Sequence, residues 1–598
     1  MQREGQSSVG ETHPRTDVAP GAGISLLDPR DLFAPLARPW RLADQLPLAA
    51  LDGVPGHTRL QVQLLHNRGI DGTDAISQRM ERDWHATSRL PGIDAAVERI
   101  RRALGAHECI VVFGDFDADG ITSCALLVLA LRALGADVSP YIPTRENAGR
   151  GPSAEALRRL AGDGATLVIT TDCGTTNAEE LAVAHALGMD VIITDHHAPE
   201  GPLAQDCILV NPHLADNATP DADLAGVGVA LRLAEALLLE SHPARLESLL
   251  DLVALGTIAD MAPLSATNWT LVRAGLRQLN SAPRPGVHAL LRQIGLTPGA
   301  LHEGDIAYRI APRLNAGQRM GEPRLALDLL LTEDLAQAEQ LSARLNTLNA
   351  ERQRLTENLV GQARRQWSAH VDQDAPVVTV QGDGWPFGLL GLAAGRLADE
   401  FHRPAVVVSR EGDVCRGSLR GNEEASVVAA LGASSGLLTH FGGHERAAGF
   451  TVSAANLDVL LASLRVSLVS QVDHPSARAD LTMDCQLPLN RVTREKYDEI
   501  RALGPFGEGF AEPRFLASRV RLIRCFATGA QRRHLRIVLR DGTGQRVASW
   551  MGKGAYADTL SQALRTLPVL DVVYRFDPFY VSGQIEYLSI VAMRPSTP

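Results

Sequence analysis

The sequence predicts a multidomain α/β protein: a parallel-sheet domain, a long connecting helix, a second α/β domain and a small β-barrel at the end. Three observations predict it. Between Cys109 and Asn211, short strand-like runs (CIVVF, DVSPYI, ATLVITT, DVIIT, CILVN) alternate with apolar helical stretches, the pattern of βαβ units on a mainly parallel sheet. From Thr332, apolar residues recur at steps of three, four and seven. Beyond about residue 478 that periodicity fades, and short β-rich runs separated by Gly-containing turns take over, as in a small barrel.

Taken in order, residues 1–35 read as a disordered lead-in, because the first 25 are rich in Gly, Ser, Pro, Thr and Glu and poor in apolar residues. The doubly wound body covers roughly 90–210. Its first helix is expected over Ser123–Leu134, ended by Gly135, and a helical continuation runs from Leu224 to Asp260. The stripe Leu335, Ala338, Leu341, Leu345, Leu348, Leu355 and Leu359 predicts one long amphipathic helix that packs on two domains. Strands near Pro376–Val380, Ala405–Ser409 and Arg416–Leu419 then build the second α/β segment, which ends in FGGHERAAGF at Phe441–Phe450.

Composition narrows the function classes. The chain of 598 residues carries a formal net charge of -11, which argues against polyanion binding by the whole surface while leaving room for a local basic cleft. Such a region stands in the β-rich end, where Arg514, Arg519, Arg521, Arg524, Arg532, Arg533, Arg536, Arg540 and Arg546 face a single acid, Asp541. With Phe515, Phe526 and Trp550 it reads as a barrel that binds single-stranded nucleic acid by charge and stacking. The seven cysteines contain no C-x-x-C pair, so neither a structural zinc site nor a disulfide framework is expected. No stretch of about 18 consecutive apolar residues occurs and no secretory signal is read, so a cytoplasmic location is expected.

The chemistry gathers at the ends of the first domain's strands. GDFDADGIT (Gly114–Thr122) follows CIVVF, TTDCG (Thr170–Gly174) closes LVITT, Asp195–His197 follow DVIIT, and Asp260 ends LLDLVALGTIAD. In open α/β sheets the carboxyl ends of the strands are where ligands bind. Asp115, Asp117 and Asp119, alternating in an extended continuation, would share one face, and three carboxylates so close are tolerable only with cations among them. A solvated acidic turn is the plainer alternative. A calcium loop of the EF-hand type is excluded, because Leu126 stands where the bidentate Glu belongs and a strand precedes the motif. Taken singly, Asp172 reads as a helix N-cap and Asp260 as a helix C-terminal residue; together with His196 and His197 they read as metal ligands. Hard oxygens with imidazole suit Mn²⁺ or Mg²⁺. Five or more ligands imply two ions about 4 Å apart, the apparatus of phosphoester or phosphoanhydride hydrolysis.

Other signals are weaker. Leu231 stands where a dinucleotide fingerprint needs Gly or Ala, so LAGVGVALRLAEAL reads as close helix packing, and no P-loop occurs. Arg313, Asn315 and Arg319, then Arg416, Ser418 and Arg420, then Gly442, Gly443 and His444 offer guanidinium forks, hydroxyl and glycine N–H groups for phosphate.

These motifs, in this order, resemble the DHH phosphoesterase superfamily and, within it, the RecJ family of single-strand-specific DNA exonucleases, over roughly residues 60–598. APRLNA, the later GGH and PFGEGFAEPRF (Pro505–Phe515) are similar to RecJ features that short superfamily members lack. The resemblance implies a DHH domain over 36–330, a connecting helix over 331–370, a DHHA1 domain over 371–475 and an OB-fold over 476–598. It implies 5′-to-3′ removal of mononucleotides from single-stranded DNA in recombination and repair, by a monomer working beside a single-strand-binding protein and a helicase. It further implies Asp117, Asp119, Asp172, His196 and Asp260 as ligands of two Mn²⁺ or Mg²⁺ ions, Asp115 and His197 as supporting or catalytic groups, and Arg313, Arg416, Ser418, Arg420 and His444 on the substrate side. Three departures from the usual family sequence, at Gly317-Gln318, at Trp385-Pro386-Phe387-Gly388 and at Phe510, bear on how DNA is gripped. A phosphodiesterase for short oligonucleotides or cyclic dinucleotides is the alternative, and a binding scaffold with a relict site a third.

Overall fold

The structure, a computed structural model, describes residues 39–86, 89–144, 151–199, 202–215, 219–369, 375–421, 425–471, 480–529, 532–564, 566–581 and 584–596. The expected lead-in over 1–35 lies outside them. The chain forms two compact units, one of Asp44–Ala479 with Asp498–Pro513, the other of Asp480–Tyr497 and Arg514–Pro598 with the chain up to Ala43.

In the larger unit, strands β1 (Ile110–Gly114), β2 (Val138–Tyr141), β3 (Leu167–Thr171), β4 (Asp190–Thr194) and β5 (Ile208–Val210) form an all-parallel sheet in the order β2-β1-β3-β4-β5. Both faces are covered, so β1 and β3 are buried at every residue and their sequences are unbroken apolar runs rather than alternations. The connection reverses direction between β1 and β3, and a doubly wound sheet opens a crevice at that point. Helix α1 (Ala118–Ala133) crosses the sheet apolar on all sides, buried from Ala118 to Leu131. Helices α2 (Gly226–Leu238) and α3 (Leu250–Asp260) pack on it. The body continues through α4 (Ala311–Arg319) into α5 (Leu335–Ser368), the long helix, whose N-cap Asp334 accepts from the amides of Ala336 and Gln337.

The α5 stripe follows the expected one except at its first residue. Leu335 is 66% exposed, whereas Ala338, Leu345 and Leu348 are buried in its first half and Leu359, Val360, Ala363 and Trp367 in its second. The second half belongs to the core of the next α/β segment, with Val378, Leu389 and Ala405. There, β6 (Val378–Asp383), helix α6 (Phe387–Phe401), β7 (Ala405–Glu411), β8 (Val414–Arg420), β9 (Leu438–His444) and β10 (Ala447–Ser453) make a mixed sheet in the order β9-β10-β8-β7-β6.

Residues Asp498–Pro513 leave the barrel sequence and join the larger unit. Phe510 is buried, stacks on Phe506 at 5.6 Å, meets Trp269 edge-on at 6.4 Å and lies under the guanidinium groups of Arg79 (5.0 Å) and Arg68 (5.5 Å). The amide of Leu264 donates to Glu508 O at 2.7 Å, and Arg501 pairs with the buried Glu303. The departure at Phe510 is therefore an anchor of this segment.

In the smaller unit, β11 (Phe515–Thr528), β12 (His534–Arg540), β13 (Gln545–Trp550), β14 (Leu570–Val581) and β15 (Gln584–Pro595) close a ring in the order β11-β12-β13-β15-β14, with Leu516 of β11 returning opposite Val573 of β14. Strand Trp40–Leu42 pairs in parallel with Leu481–Met483 beside it. The expected stacking surface needs correction. Phe515 and Trp550 are buried in the barrel core, where β-alternation turns them inward, and of the three only Phe526 faces solvent, 40% exposed with Arg524 above its ring. Arg536 instead lies 3.9 Å over Phe579. Among the described residues no helix is long and apolar enough to cross a membrane.

Replacing Phe510 with Ala is expected to cost about 3–5 kcal/mol, the range for a buried Phe, and to lower the urea midpoint of the larger unit followed by tryptophan fluorescence. An unchanged midpoint would refute the anchoring role.

Candidate metal centre

Strand β1 ends at Gly114, where an added Cβ would lie 2.7 Å from Gly120 O and 2.8 Å from Cys124 Cβ; only Gly lets α1 fold back so tightly. Asp117 then caps α1, its Oδ1 accepting from the amides of Asp119 (3.0 Å) and Gly120 (3.2 Å). This overturns the expected shared face of Asp115, Asp117 and Asp119: the strand stops at Gly114 and Asp119 already sits in the first helical turn. The cap outcompetes strand continuation because it satisfies two orphan N–H groups.

Asp119 is wholly buried and received by another helix. The amides of Gly226 (2.7 Å, to Oδ2) and Val227 (3.0 Å, to Oδ1), at the start of α2, hold its carboxylate, with the helix dipole favouring the negative charge. A Cβ at Gly226 would stand 2.7 Å from Asp172 Cβ, and one at Gly256 2.3 Å from Thr122 Oγ1 and 2.7 Å from Asp119 Oδ1. The glycines of LAGVGV and LVALG thus give three carboxyl-bearing segments room to meet. The expected close helix packing is there; the amide cradle for Asp119 is not visible in the sequence.

Asp172, at the end of β3, adopts a left-handed backbone (φ 62) and is buried. Its Oδ1 lies 3.1 Å from His196 Nε2, yet both atoms are buried without a hydrogen-bond partner. Asp195 organises the histidines: its Oδ1 accepts from the amides of His196 (2.8 Å) and His197 (3.2 Å) and from His197 Nδ1 (2.8 Å), its Oδ2 from Thr175 N and Oγ1. That bond assigns the Nδ1–H tautomer to His197. Asp260 ends α3 just before Met261, a left-handed residue (φ 63) that is 72% exposed.

Three donor sets result, each with ligand atoms within 4.8 Å of one another: Asp115, Asp117 and Asp172; Asp119, His196 and Asp260; and Asp172, His196 and His197. The electrostatics are those of acidic groups crowded together out of reach of solvent. Burial and then the charges of Asp260 and Asp117 push Asp119 well above the usual carboxylate range. Burial and then Asp119, Asp117 and Asp115 do the same to Asp172. Asp260 is raised to about 6 by burial and Asp117, and burial, with His197 next, lowers His196 to about 3. Burial opposes ionisation of Asp195 too, but its bonds from His197 and Thr175 hold it below the usual range. Orphaned buried oxygen and imidazole atoms beside repelling carboxylates fit hard divalent cations, and the donor sets overlap through Asp172 and His196.

The expected phosphate-side residues come from three elements of the same unit. His444, ending β9, stacks on His197 at 5.6 Å between centroids and 8° between planes, which brings the second α/β segment to the centre. Gly443 (φ 158) pairs with Ala448, and an added Cβ would meet that residue's Cα at 2.3 Å. On β8, Arg420 Nη1 donates to Ser418 Oγ at 3.2 Å, and Arg416 lies over the ring of Phe387 at 5.5 Å. On α4, Arg313 Nε donates to Asn346 Oδ1, and Arg319 Nη1 donates to Gly388 O, both at 2.9 Å. Asn315 Oδ1 accepts from Ala118 N at 3.0 Å, so this amide steadies the turn that carries Asp117. The departures near 317 and 385–388 are packed: a Cβ at Gly317 would meet Glu322 O at 2.6 Å, and Trp385 Nε1 donates to Gln362.

Comparison with known proteins agrees with this geometry. The chain matches the DHH family N-terminal domain over residues 109–257, the DHHA1 domain over 374–468 and the RecJ OB domain over 483–584. It is 34% identical to the single-stranded-DNA-specific exonuclease RecJ of Bacillus subtilis, over 83% of this chain and 63% of that protein. To the exonuclease RecJ of Dickeya dadantii it is 33% identical, over 82% of this chain and 88% of that one. The crystal structure of RecJ with Mn²⁺ from Thermus thermophilus superposes with a TM-score of 0.79 at 30% identity, over 95% of this chain and 80% of that chain.

Asp260 predicts a pH effect on the metal-free protein. A carboxyl raised to about 6 binds more protons folded than unfolded, so stability falls as pH rises from about 4 through 6. Asp260→Asn is therefore expected to stabilise the metal-free protein by roughly 2 kcal/mol at pH 7.5 and to change nothing at pH 4. Thermal melting in EDTA at the two pH values checks this, and equal melting temperatures throughout would contradict it.

Proposed function

Since the chain belongs to the RecJ family of DHH phosphoesterases, we propose that it hydrolyses single-stranded DNA in the 5′-to-3′ direction to 5′-mononucleotides, in recombination and repair. The observation that carries the reading is the set of overlapping donor groups sharing Asp172 and His196. In this reading Asp117, Asp119, Asp172, His196 and Asp260 hold two Mn²⁺ or Mg²⁺ ions. The Mn²⁺ of the similar Thermus thermophilus structure supports that metal class.

Bound there, the two ions supply Lewis acidity at the phosphoryl oxygens and lower the pKa of the attacking water. The remaining steps belong to the chain. His197, with Nδ1 given to Asp195, takes up a proton at Nε2, and the carboxylate of Asp195 stabilises the imidazolium that results. Asp115 supports the Asp117–Asp172 side of the site. Arg313, Arg319, Arg416 and Arg420 hold phosphate oxygens by guanidinium forks, Ser418 and the Gly443 amide add neutral donors, and His444 sets the plane of His197. The arginine-rich barrel binds the strand with release of counterions. A short oligonucleotide or cyclic dinucleotide as sole substrate would leave that barrel without a task. The same reading has the protein act as a monomer beside a single-strand-binding protein and a helicase.

Asp117→Ala and His196→Ala are expected to abolish Mn²⁺-dependent nucleotide release from single strands while the protein stays folded; full activity in either would sink the proposal. Asp195→Asn, which only misdirects the histidines, should lower the rate about 10- to 100-fold. With end-labelled strands the 5′ label should appear first as mononucleotide, and earlier release of the 3′ label would reverse the polarity.

A further inference from the structure

Midway along α5, Arg352 sits where three helices meet, because α5 packs on both α4 and α6 and those two touch each other. Its Nε is buried without a hydrogen-bond partner, and its Nη2 donates to Asn349 Oδ1 at 2.9 Å. The charges that act on it are positive: Arg396, on α6, and Arg313, on α4. Arg313 is itself half-buried, with Nε given to Asn346 Oδ1 and Nη1 to Arg309 O. No salt bridge joins Arg313, Arg352 or Arg396 to a carboxylate among the described residues. Two other arginines of α5 are neutralised, Arg344 by Glu322 and Arg364 by Glu400.

The two asparagines explain what this arrangement is for. Asn346 and Asn349, neighbours on one face of α5, orient one N–H of each guanidinium without cancelling its charge. Confining like charges together costs free energy unless an anion completes the group. Guanidinium forks match the oxygens of a phosphate.

We propose that Arg352 and Arg396, together with Arg313, form a phosphate-binding site at the α4–α5–α6 junction, which takes a phosphate group of the nucleotide strand. The inference rests on the nuclease reading and extends the substrate contacts to two residues outside it. Burial and the flanking positive charges hold Arg352 below the ordinary guanidinium range, consistent with a cation awaiting its partner.

The test is steady-state hydrolysis of a short oligothymidylate by the full chain with Mn²⁺, over a series of salt concentrations. Arg352→Gln and Arg396→Gln should each raise KM about tenfold and make the slope of log(kcat/KM) against log[salt] shallower by about 0.7. Arg352→Lys, which keeps the charge, should retain the wild-type slope, as should Arg344→Gln on the same helix. Arg396 is exposed, so its variant decides the matter even if Arg352→Gln melts early. Strands with 5′-phosphoryl and 5′-hydroxyl ends distinguish the source: a KM effect confined to the former assigns a terminal phosphate, an equal effect an internal diester. An active wild type with both Gln variants at its KM and slope would overturn the site alone. A wild type that releases no nucleotide would overturn the nuclease reading and the site with it.

Discussion

Two carboxylates, Asp119 and Asp172, are enclosed by protein, and burial makes each hard to ionise; the charges of Asp260 and Asp117 add to this at Asp119, and those of Asp119, Asp117 and Asp115 at Asp172. Much of the larger unit follows from accommodating them. Asp119 receives the first amides of α2, Asp117 is turned back to cap its own helix, and glycines at 226 and 256 remove the side chains that would separate these segments. The sheet supplies the place, since reversal of strand order between β1 and β3 opens a crevice into which both strand ends point. What amides and dipole leave uncompensated is a concentration of negative charge that divalent cations can neutralise.

The histidines depend on the same centre through Asp195, whose Oδ1 holds the turn that carries them while its Oδ2 ties that turn to Thr175. His197 is held on one side by that carboxylate and on the other by the ring of His444. A residue some 250 positions later in the chain therefore shares in orienting the imidazole. The long helix makes this geometry possible by contributing to the core of each α/β segment. It pairs Arg344 with Glu322 and Arg364 with Glu400, whereas its Asn346 and Asn349 only orient Arg313 and Arg352 at the helix junction.

Periodicity and strand-end position made the sheets, the long helix, the barrel and the carboxylate–imidazole motifs legible, because each is a local pattern repeated in sequence. Asp119 was misplaced, since a capping turn and a continued strand look alike until the chain folds back at Gly114. Phe515 and Trp550 resemble a stacking surface in sequence because composition reports aromatic content, not the face on which a ring falls. Leu335 fits the apolar stripe yet lies exposed, although Ala338 in the same turn is fully buried. Phe510 was a departure in sequence and became an anchor through contacts with residues 68, 79 and 269.

By itself, then, the sequence determined the kinds of donor group, the strand-end position of Asp115, Asp172 and Asp195–His197, and the order of the domains, because these depend on residue type and on short-range spacing. Only the tertiary structure decided that Asp119 meets a helix N-terminus, that Asp172 and His196 each fall in two overlapping donor sets, that His444 stacks on His197 and that Arg352 stands without a counter-charge. Each of those is a contact between residues distant in the chain, set by which backbones can approach closely and by which charges are left buried together once they have done so.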